Sequence, residues 1–157
     1  MEELVALLIE KNITIGSVES FTVGKFAAML GEIPNVSKVY KGSLITYQNE
    51  TKERLLTISN DIIAQKGVVS KEVASLMCIH GQKILNSDLC VSFTGNAGPN
   101  KIEEKAVGTV FIGIIWKQKV RVYNLQLTGT RVKIQEEAIA FANKKIKEIL
   151  LEENESV

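Results

Sequence analysis

The chain has 157 residues, 45% hydrophobic and 24% charged, which suits a globular domain with its own core and excludes disordered and collagen-like classes. Its 19 Lys and Arg against 18 Asp and Glu leave a net charge of +1, so the cationic footprint of a nucleic-acid or acidic-membrane binder is missing. No apolar run approaches the ~20 residues of a membrane span, and Met1-Glu2-Glu3 lacks the basic flank of an export signal. Cys78 and Cys90, each among apolar neighbours, read as buried free thiols, and a reducing cytoplasm is the expected setting.

Leu4, Leu7 and Leu8 at helical spacing predict a helix over 2–11. Ile13, Ile15 and Val18 predict a strand running into Glu19-Ser20-Phe21-Thr22-Val23-Gly24, after which Phe26, Ala27, Met29 and Leu30 carry a helical stripe to Gly31. Residues 38–47, rich in β-branched and aromatic types, predict a second strand weakened at Gly42. Asn49 is the expected cap of a helix over 50–56, and Ser59 or Asn60 that of a helix to Lys66. Ser70 opens a longer helix to about Leu85, with Val73, Ala74 and Met77 on its apolar face.

Residues 89–93 predict a strand delivered into Thr94-Gly95-Asn96-Ala97-Gly98-Pro99, and 107–116 with 119–127 predict an antiparallel hairpin. From Thr130 the spacing of Ile134, Ala138, Ala142, Ile146 and Ile149 gives a final amphipathic helix. The expectation is one domain over 1–152 with a polar tail over 153–157. Strands alternating with helices, plus one hairpin, predict an α/β fold: a three-layer α/β/α sandwich around a mixed sheet.

Loops beyond the carboxyl ends of strands form the usual crevice of such sheets, and 19–24 and 94–99 are the two polar, glycine-containing ones. Ser20, at a strand-to-helix junction, reads as a nucleophile beside free backbone N–H groups or as a helix cap. His80 sits inside a helix far from both loops and reads as a surface or packing residue, so the candidate base is a neutral lysine. Lys52 follows Tyr47-Gln48-Asn49-Glu50-Thr51, so Tyr47, Asn49 and Lys52 can share one crevice; a solvated helix lysine is the other reading. Asn96 among its glycines could cradle a phosphate or carbonyl, without the Gly-Lys-Ser/Thr ending of a P-loop. Arg131 at the start of the last helix reads as an anion contact or a surface arginine. Glu103-Glu104 has no His or Cys at ligand spacing, and no metal site is expected.

Glu19-Ser20-Phe21-Thr22-Val23-Gly24, Tyr47-Gln48-Asn49-Glu50-Thr51-Lys52, Gly67-Val68-Val69-Ser70, Thr94-Gly95-Asn96-Ala97-Gly98-Pro99 and Val107-Gly108-Thr109-Val110, in this order, resemble the CinA C-terminal domain family over nearly the whole chain. The resemblance implies a nicotinamide mononucleotide amidohydrolase that releases ammonia and nicotinate mononucleotide, using no cofactor. It implies Ser20 as nucleophile, Lys52 as base and Tyr47 as an orienting group. Glu19, Thr22, Gly24, Asn49, Thr94, Gly95, Asn96, Ala97, Gly98 and Arg131 are then the substrate contacts. The implied partner is a small-molecule nucleotide, with no nucleic acid or membrane, and a homo-oligomer is compatible with such a domain.

The chain departs from the family pattern at Phe21, Val23, Asn100, Thr130 and Gln135. Val23 and the 100–102 segment are therefore expected to line the Ser20 pocket and narrow it, and Gln135 to mark a lost anion contact. The rival reading is a catalytically silent nucleotide-binding or protein-interaction member of the same fold.

Overall fold

A computed structural model describes residues 1–152; the expected polar tail, 153–157, lies outside the described residues. The elements run α1 (Glu2–Lys11), β1 (Ile15–Glu19), α2 (Lys25–Gly31), β2 (Tyr40–Ile45), α3 (Asn49–Leu56), α4 (Asn60–Lys66), α5 (Lys71–Leu85), β3 (Leu89–Gly95), β4 (Thr109–Trp116), β5 (Lys119–Gln126) and α6 (Arg131–Glu152). None of the described helices is long and apolar enough to cross a membrane.

The sheet order is β2-β1-β3-β4-β5, with β1 parallel to both neighbours and β3-β4-β5 antiparallel, so the mixed sheet with one hairpin is as expected. The hairpin turn is Lys117-Gln118, both at positive φ, the two-residue geometry whose twist matches the strands. On one face α1, α2 and α6 bury Leu4, Leu8, Phe26, Leu30, Ile139 and Ile146 against Val91, Phe93, Ile112 and Ile114. On the other, α3, α4 and α5 bury Leu56, Ile63, Met77 and Cys78 against Val18, Cys90 and Ile115. Each such aliphatic side chain contributes about 1.5–3 kcal/mol of burial.

Glycines let helix α5 pack directly against the sheet. A Cβ on Gly81 would stand 2.2 Å from Val18 Cγ2, and one on Gly113 2.6 Å from the Ala74 carbonyl. Ser92 Oγ also donates to that carbonyl at 2.7 Å, so the helix is seated by shape and by a buried hydrogen bond. Helix α5 starts where Ser70 Oγ accepts the Val73 N–H at 3.2 Å, and α4 where Ser59 Oγ accepts from Ile62.

Several boundaries differ from the sequence reading: β2 ends at Ile45 rather than Tyr47, β3 runs on to Gly95, β4 begins at Thr109 rather than Val107, and β5 ends at Gln126. Ile13 is buried but outside β1, because α1 ends at a left-handed Asn12 and the Ile13 N–H closes on Leu8 O. Strand β2 begins at Tyr40, after a 3-10 turn over Val36–Lys38. Asn49 is the first residue of α3 rather than its cap; Gln48 holds the cap position and makes no side-chain cap bond.

Candidate active site

Ser20 lies directly past β1, between the carboxyl ends of β2 and β3, where strand order reverses. Its N–H donates to Phe93 O at 3.0 Å, while the Thr46 N–H donates to Glu19 O at 2.9 Å, so the parallel ladder continues into the loop. This is the switch point at which ligands enter open α/β sheets. A cleft of about 400 Å³ opens here, lined by Ser20, Phe21, Tyr47, Asn49, Lys52, Val68 and Val69 and by Thr94, Gly95, Ala97, Ile102, Glu103 and Arg131.

Lys52 reaches back from α3 and is fully buried. Its Nζ donates to Ser20 Oγ at 3.0 Å, Thr46 O at 2.7 Å and Tyr47 O at 3.2 Å. Burial pulls its pKa down to about 8, and the negative charge of Glu103 opposes that fall. A neutral lysine here keeps two N–H groups for the two carbonyls and turns its lone pair to the serine hydroxyl. Chemically, such an arrangement can serve to deprotonate the serine hydroxyl.

The turn after Ser20 is closed by the Val23 N–H donating to Ser20 O at 3.1 Å. No hydrogen bond among the described residues uses the N–H of Phe21 or Thr22, so two donors stand unclaimed directly after the serine. Gln135 on α6 is buried and donates to Phe21 O at 2.8 Å, which fixes the peptide between these donors. Gln135, expected as a lost anion contact, therefore supports the turn.

The structure separates the remaining site residues into two groups. Tyr47, Asn49, Thr94, Gly95, Ala97 and Arg131 line the cleft with Ser20 and Lys52. For Tyr47 the backbone carbonyl makes the contact with Lys52, and the residue is 53% exposed. Glu19, Thr22, Gly24, Asn96 and Gly98 do not line it. The buried Glu19 carboxylate accepts the Phe26 and Ala27 N–H groups, each at 3.0 Å, and so anchors the start of α2. Gly24, at φ +84°, begins that helix. Asn96 staples its own loop, donating to Asn100 O and Lys105 O and accepting the Gly98 N–H. Arg131 donates to Gly98 O.

Val23 overturns an expectation. It is 53% exposed and outside the cleft lining, since the tight turn points its side chain to solvent, although φ +49° places it in the left-handed region. Of the 100–102 segment, Ile102 lines the cleft and Asn100 and Lys101 do not. Sequence reasoning missed Glu103, whose carboxylate accepts the Val68 N–H at 2.9 Å and the Val69 N–H at 3.5 Å. His80 packs as expected, its Nδ1 on Leu56 O.

A three-layer α/β/α protein with a serine–lysine pair at its switch point is the class that fold and site define. The chain belongs to the CinA family: the model of the CinA C-terminal domain matches residues 1–150. A competence-damage inducible protein of Listeria innocua is 44% identical over 113 residues, 72% of this chain and 27% of that one. One from Bacillus mycoides is 38% identical over 138 residues, 87% of this chain and 34% of that one. The chain thus spans roughly a quarter to a third of these relatives. The crystal structure of a CinA superfamily protein from Klebsiella pneumoniae overlays with TM-score 0.93 at 22% identity, covering 96% of this chain and 95% of that one, a likeness of fold. The CihA competence/damage inducible protein of Agrobacterium tumefaciens overlays with TM-score 0.86 at 26% identity, covering 92% of each chain.

Proposed function

We propose that this protein is an amidohydrolase that converts nicotinamide mononucleotide to nicotinate mononucleotide and ammonia. The observation that carries this reading is the buried Lys52 Nζ at 3.0 Å from Ser20 Oγ, held there by two backbone carbonyls. Neutral Lys52 takes the Ser20 proton as Oγ attacks the carboxamide carbon. The tetrahedral oxyanion is met by the Phe21 N–H, on the cleft wall directly after the serine. Collapse breaks the C–N bond, and the nitrogen leaves as ammonia with the proton returned by Lys52. Water then loses a proton to Lys52 as it attacks the acyl-serine, which releases the carboxylate and restores the hydroxyl. Arg131, on the cleft wall, contacts the substrate.

Ammonia release from nicotinamide mononucleotide by the purified protein tests the reading. Ser20→Ala should lower turnover by about three orders of magnitude or more while retaining binding, because only the attacking oxygen is lost. Lys52→Arg should do the same, since a guanidinium stays protonated. A silent nucleotide-binding member is the second reading, favoured by Glu103 filling the Val68 and Val69 N–H groups beside the dyad. Binding without ammonia release from the wild-type protein would select it.

A further inference from the structure

Glu19, next to the nucleophile, is a fully buried carboxylate with no part in the proton transfers, and among the described residues no cation pairs with it. Hydrogen bonds alone carry its charge. Oε1 accepts the Phe26 N–H and Oε2 the Ala27 N–H, each at 3.0 Å, and Oε2 also accepts the Ser17 hydroxyl at 3.3 Å. Ser17 and Glu19, two apart on β1, share a face of the sheet. Beside them β2 gains a residue, since β1 steps from Ile15 to Gly16 while their partners are Tyr40 and Gly42. That bulge brings Tyr40 and Ser43, three apart, onto the face of Ser17. Ser43 Oγ is bonded to Ser17 Oγ, and Tyr40 Oη to Ser43 Oγ at 2.5 Å.

A carboxylate only accepts and each hydroxyl has one proton, so the direction of this chain of bonds is fixed. Ser17 donates to Glu19, Ser43 to Ser17, and Tyr40 to Ser43. Burial holds the Tyr40 phenol above its ordinary pKa, against a lowering by Ser43 and with help from the Glu19 charge, so the half-buried head of the chain stays a donor. Bonds aligned in one direction strengthen one another and hold the carboxylate in place. Glu19 ends β1, and its side chain grips the first turn of α2, whose own N-cap, Gly24, offers no side chain. One residue thus holds both ends of the 20–24 turn, on which the nucleophile and the Phe21 N–H stand.

We propose that Tyr40 is a positioning residue for the Ser20 nucleophile, acting through Ser43, Ser17 and Glu19 on the 20–24 turn. Its effect on turnover rests on the amidohydrolase reading; its effect on the reactivity of Ser20 does not.

Two rates test the assignment in the full chain, at a temperature where every variant is folded. One is ammonia release from nicotinamide mononucleotide; the other is labelling of Ser20 by a fluorophosphonate, which reads the reactivity of the serine whatever its substrate. Tyr40→Phe should lower kcat and the labelling rate together by about tenfold with KM nearly unchanged, because a small displacement of the attacking oxygen acts on the reaction and not on binding. Ser43→Ala should cost at least as much, and Ser43→Thr, which keeps the hydroxyl, little. The Tyr40→Phe/Ser43→Ala double variant should be no slower than Ser43→Ala alone, since both break one chain, whereas independent packing losses would multiply. Wild-type rates in Tyr40→Phe, losses that multiply in the double variant, or a change confined to KM overturn the proposal. If the parent releases no ammonia, labelling decides: slower labelling of Tyr40→Phe keeps the positioning role while the substrate reading falls, and equal labelling, or none of the parent at Ser20, overturns the role as well.

Discussion

Lys52 Nζ stands 3.0 Å from Ser20 Oγ across 32 positions of sequence, and the lysine has no exposed surface. Proton position on this pair follows from that burial, because an ammonium away from water gives up its proton more readily.

Turnover should accordingly rise with pH. The base is competent only when neutral, so kcat/KM should climb through a midpoint near 8, the value to which burial brings Lys52, and level off above it. A profile already flat from pH 6 upward would exclude Lys52 as the base.

The same depressed pKa links to stability with a definite sign. Between about 8 and 10.5 the unfolded chain holds the Lys52 proton and the folded one does not, so stability rises with pH across that window. Relative to Lys52→Met, which has no proton to lose, the wild-type protein should gain up to about 3 kcal/mol from pH 8 to 10.5 and nothing below pH 7. Urea titrations at several pH values measure the difference, and parallel curves would contradict it.

Val23→Gly should stabilise the protein by about 1 kcal/mol. A β-branched residue at φ +49° carries strain that glycine lacks, the gain exceeds the added chain entropy of glycine, and little buried contact is lost at an exposed side chain. Ligand affinity should not change, because Val23 stands outside the cleft. Thermal melts and a binding isotherm together check both halves.

Glu19→Gln should cost about 1–3 kcal/mol, since an amide offers one acceptor oxygen where the carboxylate serves both the Phe26 and Ala27 N–H groups. Denaturant midpoints at neutral pH read this loss directly.

Burial pushes the Cys78 thiol up to about 12 and Cys90 well above its usual value, so neither should react with a thiol reagent in the native state. Labelling should follow global unfolding in denaturant; fast native labelling of either would show that α5 opens locally.

The layers were legible in the sequence where local rules act alone: Ser59 and Ser70 cap their helices, and the apolar spacing of α6 buries the side chains it names. The site was legible only in part. From residue type alone Ser20 and Lys52 each had a bland alternative, and their pairing came from five motifs in order. Glu103 left no signal, because its partners Val68 and Val69 lie about 35 residues away and loop carboxylates have no period. Val23 misled because a glycine position can be needed for its backbone angle or for open space. Here only the angle is at stake.

The Gln135 side chain grips the Phe21 carbonyl from 114 residues downstream. For a chain leaving the ribosome this sets an order of events: serine and lysine emerge before α6, and the peptide beside the serine has no clamp until that helix has been made and docked. The turn beside Ser20 is thus expected to reach its final form only as the domain closes, with α6 acting as the latch of assembly.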